Sequence, residues 1–362
     1  MRLVTYLLTV LFGQTRVGGR WFDLIPIALI TWIAAHSQMD ADAEQYRSAY
    51  EGLDSYFLFP DYGVGFQTLM RIGNGLGIDF DTFKTVLIFA VLAIYECVLL
   101  RLTKDSATVW SLLMVYPMLV SIVQLRQTLG LAFVVIALAF LVARGIRGIP
   151  WFIVFVLIAT SMHVTCVLYV VMVFCFLGSV RTLTILCTII TLIGTILGST
   201  IFSAVEHLIP SNKAAYFYNE HISLYTKAAL IALVVLNVVI MHMVCRFVER
   251  SNVATQRTVR EMRVIYRICT LLMCYIPLII EGTDFMRLDR AILVFVFIGI
   301  SVGLATSQTK LAVDAPPLYK RRRVVVNMIV VRFAALTFAV VLAYILIAKN
   351  DMDGVIVPLL LT

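Results

Sequence analysis

Residues Ala107–Ala143 read ATVWSLLMVYPMLVSIVQLRQTLGLAFVVIALAFLVA, and a single one of them, Arg126, carries a charge. Crossing the hydrocarbon layer of a bilayer takes about 20 predominantly apolar residues of helix. The stretch therefore holds two crossings, Ala107–Val123 and Thr128–Ala143, with Gln124-Leu125-Arg126-Gln127 as the turn between them. Only helices and closed barrels satisfy every backbone polar group in lipid, and runs this long and this uniformly apolar select the helix.

The same pattern recurs along the chain. Further membrane segments are read at Trp21–Ala35, Phe83–Leu102, Pro150–Ser161, Val164–Leu177, Thr182–Phe202, Ala228–Cys245, Val264–Ile280, Ala291–Thr306 and Val324–Ala348, with Leu3–Phe12 as a short twelfth or interfacial helix. Composition agrees: 61% of residues are hydrophobic and 14% charged, with a mean hydropathy of +0.97. One water-soluble core cannot hide that excess. No polar stretch is long enough for a separate soluble domain, so residues 1–362 form a single all-α polytopic membrane domain with about 11–12 segments. The two segments flanking His163 are each short for a full crossing, which suggests a broken or re-entrant hairpin with His163 at its tip. Met1–Phe12 is not followed by a small-residue cleavage site, so internal signal-anchor helices are expected to direct insertion.

Basic residues orient the bundle. The loops 13–20, 101–106, 144–149, 179–181, 246–267 and 307–323 alternate onto one face and hold eighteen Lys and Arg against four acids, Asp105, Glu249, Glu261 and Asp314. That face is expected to be cytoplasmic. The net charge of +8 is spread through short connectors rather than along one stripe with interleaved aromatics, so no nucleic-acid partner is implied. Membrane lipids are the expected neighbours of Lys320–Arg323. The seven cysteines lie inside apolar segments without C-x-x-C or His spacing, which implies packing rather than metal or disulfide.

Polar chemistry gathers in the opposite loops, 37–82, 203–226 and 281–290. Arg126 is the most informative residue. A charge between two apolar helices is costly, and a guanidinium fits phosphate oxygens in bidentate fashion while staying protonated. The alternative is a helix-end arginine reaching phospholipid headgroups. Gln127 shares its turn. His163 is either a satisfied packing residue or a proton acceptor at the hairpin tip. Arg287 and Arg290, three apart, either serve one site or pair with Asp284 and Asp289. Asp42, Tyr46 and Tyr50 recur every four residues and share one helical face, and Asp40-Ala41-Asp42 spells D-x-D. That pair suits a sugar-contacting cavity better than a divalent ion, so no metal or other cofactor is expected. Glu96 and Arg332, inside apolar helices toward the basic face, are expected to pair or to reach the interface.

At these residues the chain resembles the EpsG branch of the Wzy-type polysaccharide polymerases. The resemblance runs over roughly residues 40–300. It rests on Asp42-x3-Tyr46-x3-Tyr50 and on Gly63-Val-Gly-Phe66-Gln-Thr-Leu69. Leu125-Arg126-Gln127-Thr-Leu-Gly-Leu-Ala132, the Met162-His163 break and Arg287-Leu-Asp-Arg290 continue it. The family usually has an acid before Gly-Phe and an aromatic after the late arginine, where this chain has Val64-Gly65 and Ala291. The resemblance implies a GT-C-like fold and a glycosyltransferase of the bacterial inner membrane, with its active site facing the periplasm. It implies polymerisation of O-antigen, capsule or exopolysaccharide repeat units carried on undecaprenyl diphosphate, with a chain-length regulator as a possible partner. On that reading Arg126, Arg287 and Arg290 hold the diphosphate, His163 or Asp42 takes the acceptor proton, and Asp40, Tyr46 and Gln127 contact the glycan. The competing readings are a lipid-linked oligosaccharide flippase or transporter, and an O-antigen ligase.

Overall fold

The computed structural model describes residues 2–15, 19–37, 41–52, 62–205, 223–313, 318–347 and 356–361, and among them all regular secondary structure is helical. The α-helices are α1 Arg2–Gly13, α2 Leu24–Ala35, α3 Ala41–Glu51, α4 Val64–Gly75, α5 Phe80–Leu102, α6 Ser106–Leu113, α7 Leu119–Val123 and α8 Leu125–Arg144. They continue with α9 Ile149–Met162, α10 Val180–Val205, α11 Leu224–Glu249, α12 Gln256–Leu271, α13 Ile276–Glu281, α14 Asp289–Val313, α15 Leu318–Leu346 and α16 Val357–Leu361. Each expected membrane segment falls on a helix.

Among the described residues, eight helical stretches are long and apolar enough to cross a membrane. Three shorter apolar helices, Arg2–Gly13, Trp21–Ala35 and Val164–Phe176, accompany them. The protein is a polytopic membrane protein. Its apolar exterior demands lipid: α10 alone exposes Ile185, Ile189, Leu192, Ile193 and Ile196. The innermost elements are the α6–α7 stretch, buried along nearly its whole length, and the first half of α14, where residues 289–301 are all buried.

One of the eight stretches, Leu125–Met162, is two helices folded at the 3-10 turn Gly145–Gly148. α8 and α9 run antiparallel, with Phe140 stacked on Trp151 and Phe155 at 5.7 and 5.6 Å. Gly148 makes the close fold possible, because a Cβ there would stand 2.2 Å from the Phe140 carbonyl oxygen. The chain then breaks at His163, whose extended backbone (φ −147, ψ 119) ends α9, and returns as the 3-10 helix Val164–Phe176. A 3-10 helix rises about 2.0 Å per residue against about 1.5 Å for an α-helix, so thirteen residues of it reach further than their number suggests.

The expected continuous segment Ala107–Val123 is interrupted. Pro117 has no N–H to donate and disfavours helix at the residue before it, and Tyr116 accordingly turns extended (φ −160, ψ 132). This interruption aims the Tyr116 side chain.

At the arginine-rich end a buried polar network ties the bundle together. Arg332 meets Asp105 at 2.9 Å, with 8% and 1% of the two side chains exposed. It also donates to Thr108 Oγ1 at 2.9 Å and to the Gln14 carbonyl. Trp110 Nε1 donates to Glu96 at 2.7 Å, Ser106 to Asp23, and Thr103 bonds Ser301 at 2.7 Å. Of the two expectations for Glu96 and Arg332, pairing is realised by Arg332, with Asp105, whereas Glu96 accepts from the neutral Trp110 indole.

Candidate functional site

The site is assembled around the N-terminus of α8. The α6–α7 stretch and α8 meet at Gln124, which takes a non-helical conformation (φ −92, ψ 61) and makes no side-chain cap. An uncapped helix start leaves backbone N–H groups and the positive end of the helix dipole without an internal partner. Thr128 N–H returns to the Gln124 carbonyl at 2.9 Å, so the orphan donors are those of the first turn, where Arg126 and Gln127 lie.

Arg126 projects from that turn into an aromatic box. Its Nε donates to Tyr46 Oη at 3.1 Å. Its guanidinium carbon lies 4.2 Å from the Tyr62 ring centre and 5.5 Å from that of Tyr46. Phe66 backs both rings, with centroids 5.8 and 6.2 Å away. Stacking on π-faces holds a guanidinium in place without cancelling its charge.

The box stands where it does because α3 and α4 are clamped. On α3, Tyr46 and Tyr50 are both buried, as their four-residue spacing predicts. Tyr50 Oη donates to the Ile78 carbonyl at 2.7 Å, and Arg47 makes a two-pronged bond to Asp81 at 2.8 and 2.9 Å. Burial, followed by the nearby Asp79 charge, pushes the Tyr50 phenol above its ordinary pKa, and the Asp81 bond raises that of Arg47. Asp79 caps α5 by accepting from Thr82 N–H and Oγ1 at 2.9 and 2.7 Å, and those bonds hold its carboxyl below the usual range. Gly63 lets α4 press against the end of α9, since a Cβ there would stand 2.2 Å from the Ser161 carbonyl. That contact brings Tyr62 over Arg126.

His163 sits one helical turn below Arg126. Gly130 is four residues on from Arg126 and shares its face of α8, and a Cβ at Gly130 would stand 3.4 Å from His163 Cβ and 2.9 Å from Cys166 Sγ. His163 is half-buried, with Nδ1 2.7 Å from Thr165 Oγ1.

Arg290 approaches the same turn from the other side. The 3-10 turn Thr283–Leu288 leads into α14, so Arg290 lies in the first turn of that helix and is 5% exposed. Its Nη1 donates to Gln124 Oε1 at 2.5 Å and its Nε to Tyr116 Oη at 3.2 Å. Among the described residues these are its hydrogen-bond partners, and both are neutral. The neighbouring acid is engaged elsewhere: Asp289, fully buried, accepts from Asn237 Nδ2 at 3.1 and 3.3 Å. Tyr169 steadies the turn by donating to the Leu288 carbonyl at 2.6 Å. Of the two readings of this arginine pair, ion pairing with Asp289 is therefore not the one that Arg290 adopts.

A family model described as the EpsG family matches residues 20–356. The chain belongs to the EpsG family. No curated protein and no solved structure matches it. The membership agrees with a polysaccharide polymerase-type membrane protein.

In this EpsG-family chain the structure brings Arg126, Tyr46, His163 and Arg290 around one helix start. Arg287 is half-buried in the turn before Arg290. Gln127 is buried, and its Oε1 has no hydrogen-bond partner among the described residues. Asp40, Asp54, Asp61 and most of the loop 203–226 lie outside the described residues, and Asp42 is described in its helical backbone only. No group of three His, Cys, Asp or Glu among the described residues is placed to hold a metal ion. Sequence reasoning missed Tyr62, Tyr116 and Asn237 as members of this shell. The signals were present: a tyrosine directly before a proline inside an apolar run, and a lone Asn in LVVLNVVIM, where polar groups need a partner.

Proposed function

We propose that this protein joins lipid-linked glycan repeat units, and that the N-terminus of α8 with Arg126 and Arg290 forms the cradle for a lipid diphosphate. Arg290 carries this reading: a buried guanidinium bonded to a phenol and an amide retains a full positive charge in a low-dielectric site. Such a site is expensive unless it meets an anion. The adjacent helix start and Arg126 add to the same field.

In the proposed reaction the hydroxyl oxygen of an acceptor repeat unit attacks the anomeric carbon of the reducing-end sugar on undecaprenyl diphosphate. The bond from that carbon to the phosphate oxygen breaks, and the diphosphate leaves with the bonding pair. The arginines stabilise the negative charge that develops on the leaving group. His163 takes the proton released by the attacking hydroxyl. In the tautomer whose Nδ1–H faces Thr165 Oγ1, 2.7 Å away, Nε2 carries the lone pair that accepts it. Asp42, one turn before Tyr46 on α3, is the alternative base, with Arg287 as a further diphosphate ligand and Asp40, Tyr46 and Gln127 as glycan contacts. The loop charge asymmetry supports a periplasmic location for this end of the bundle in a bacterial inner membrane.

Reconstituted protein supplied with undecaprenyl-diphosphate-linked repeat units tests the reading. Arg126→Ala is expected to lower the rate of chain growth by about 10²–10³-fold, the usual effect of removing one preorganised charge-stabilising donor. Undiminished polymerisation by well-folded Arg126→Ala protein overturns the assignment. In cells the same variant should leave single repeat units exported, whereas a flippase defect leaves none outside.

A further inference from the structure

A groove of about 490 Å³ runs between α5 and α8 at the arginine-rich end, away from the α8 N-terminus. Its walls are one face of each helix. On α5 the residues recur as Ala93, Ile94, Cys97, Val98 and Arg101, and on α8 as Ile136, Ala139, Phe140, Ala143 and Arg144. Small side chains at 93, 97, 139 and 143 open the trough, and the larger aliphatics and Phe140 form its sides. Both helices run toward the same end of the bundle, so Arg101 and Arg144 close the groove together.

Two features distinguish this from ordinary lipid-facing surface. The first is charge. Arg101 and Arg144 are exposed, and neither makes an ion pair among the described residues. Arg144 lies over the Phe140 ring at 5.2 Å, and Arg260 reaches the Ala143 carbonyl at 3.3 Å, adding a third guanidinium to the rim. The second is length. Ala93 to Arg101 spans about 12 Å of helix rise, close to the roughly 15 Å of one hydrocarbon leaflet. The groove thus matches one acyl chain of the leaflet on the arginine-rich side, with the cations level with its headgroup.

We propose that this groove is a binding site for a phospholipid with a net anionic headgroup: one acyl chain lies along Ile94, Val98, Ala139 and Phe140, and the phosphate is held by Arg101 and Arg144. A polyprenyl carrier is a poorer occupant, because its long chain has no counterpart in a groove one leaflet deep. The site is independent of the diphosphate cradle, at the other end of α8.

The test uses the full-length protein in phosphatidylcholine nanodiscs doped with phosphatidylglycerol that carries a diazirine in one acyl chain. Photoadducts should map to the α5 and α8 groove residues. Unlabelled phosphatidylglycerol should displace them, whereas added phosphatidylcholine should not. Arg101→Gln with Arg144→Gln should weaken that competition roughly thirtyfold, from two guanidiniums near an anionic headgroup. Ala93→Leu, which narrows the trough and leaves both arginines intact, should also deplete the adducts, so the outcome does not hang on one variant folding. Adducts spread evenly over lipid-facing helices, or equal displacement by phosphatidylcholine, overturn the proposal. Displacement by undecaprenyl phosphate but not by phosphatidylglycerol overturns the phospholipid as occupant.

Discussion

Two buried arginines stand near opposite ends of the bundle and are held in opposite ways. Arg332 is neutralised: Asp105 lies 2.9 Å away and both side chains are nearly sealed from solvent. Arg290 is equally buried, yet its bonds go to the Tyr116 phenol and the Gln124 amide, while its neighbour Asp289 is satisfied by Asn237. Burying an ion pair costs desolvation but closes its own electrostatic account. Burying a cation among neutral groups leaves an attraction for an anion that the fold does not supply. The first arrangement fastens helices together; the second prepares a place for a ligand.

The largest expected effect lies at the fastened end. Asp105→Ala removes the carboxylate that Arg332 meets at 2.9 Å, and breaking one side of a buried pair costs about 3–5 kcal/mol. Thermal unfolding in detergent should show a marked drop, with little change in the kcat of the fraction that stays folded. A normal melting temperature would erase the distinction between the two ends. A smaller effect is expected in the aromatic box. Tyr62→Leu removes the face on which Arg126 rests, a contact worth about 0.5–2 kcal/mol, so kcat/KM for polymerisation should fall up to roughly thirtyfold with stability nearly preserved. An unchanged kcat/KM would mean that the box does not position Arg126.

The smallest effect concerns the clamp that carries the box. Asp79 has a folded-state pKa below its unfolded value, so its capping of α5 contributes fully above the usual carboxylate pKa of about 3.9 and is lost as pH falls through the lowered value. Hydrogen exchange at Thr82 should therefore stay protected at mildly acid pH and speed up only below that range. Loss of protection at near-neutral pH would contradict the capping account.

Much of this architecture is legible in the sequence because lipid imposes a simple pattern. Ala107–Ala143 announces two helices and one misplaced charge, and the shortness of the segments around His163 announces the break. Those signals are local. What remained hidden depends on pairs distant in sequence: Arg290 with Tyr116 and Gln124, and Asp289 with Asn237. No hydrophobic period records such contacts. Pro117 was a signal that the reading of Ala107–Val123 as one continuous crossing passed over, and it gave no sign of the direction in which Tyr116 would turn. The acidic segment beginning at Asp40 was prominent in the sequence, yet its side chains up to Asp42 lie outside the described residues.

The central claim is that Arg290 keeps an uncompensated charge for the diphosphate of a lipid carrier. Calorimetric titration of undecaprenyl diphosphate into reconstituted wild-type and Arg290→Gln protein tests it most directly. Hydrogen bonds to a charged group are worth about 1.5–3 kcal/mol, so affinity should fall roughly tenfold to a hundredfold, while the melting temperature holds or rises as a buried lone charge is removed. Equal affinity in the two proteins, together with a lower melting temperature in the variant, would show Arg290 to be a structural residue and would contradict the account.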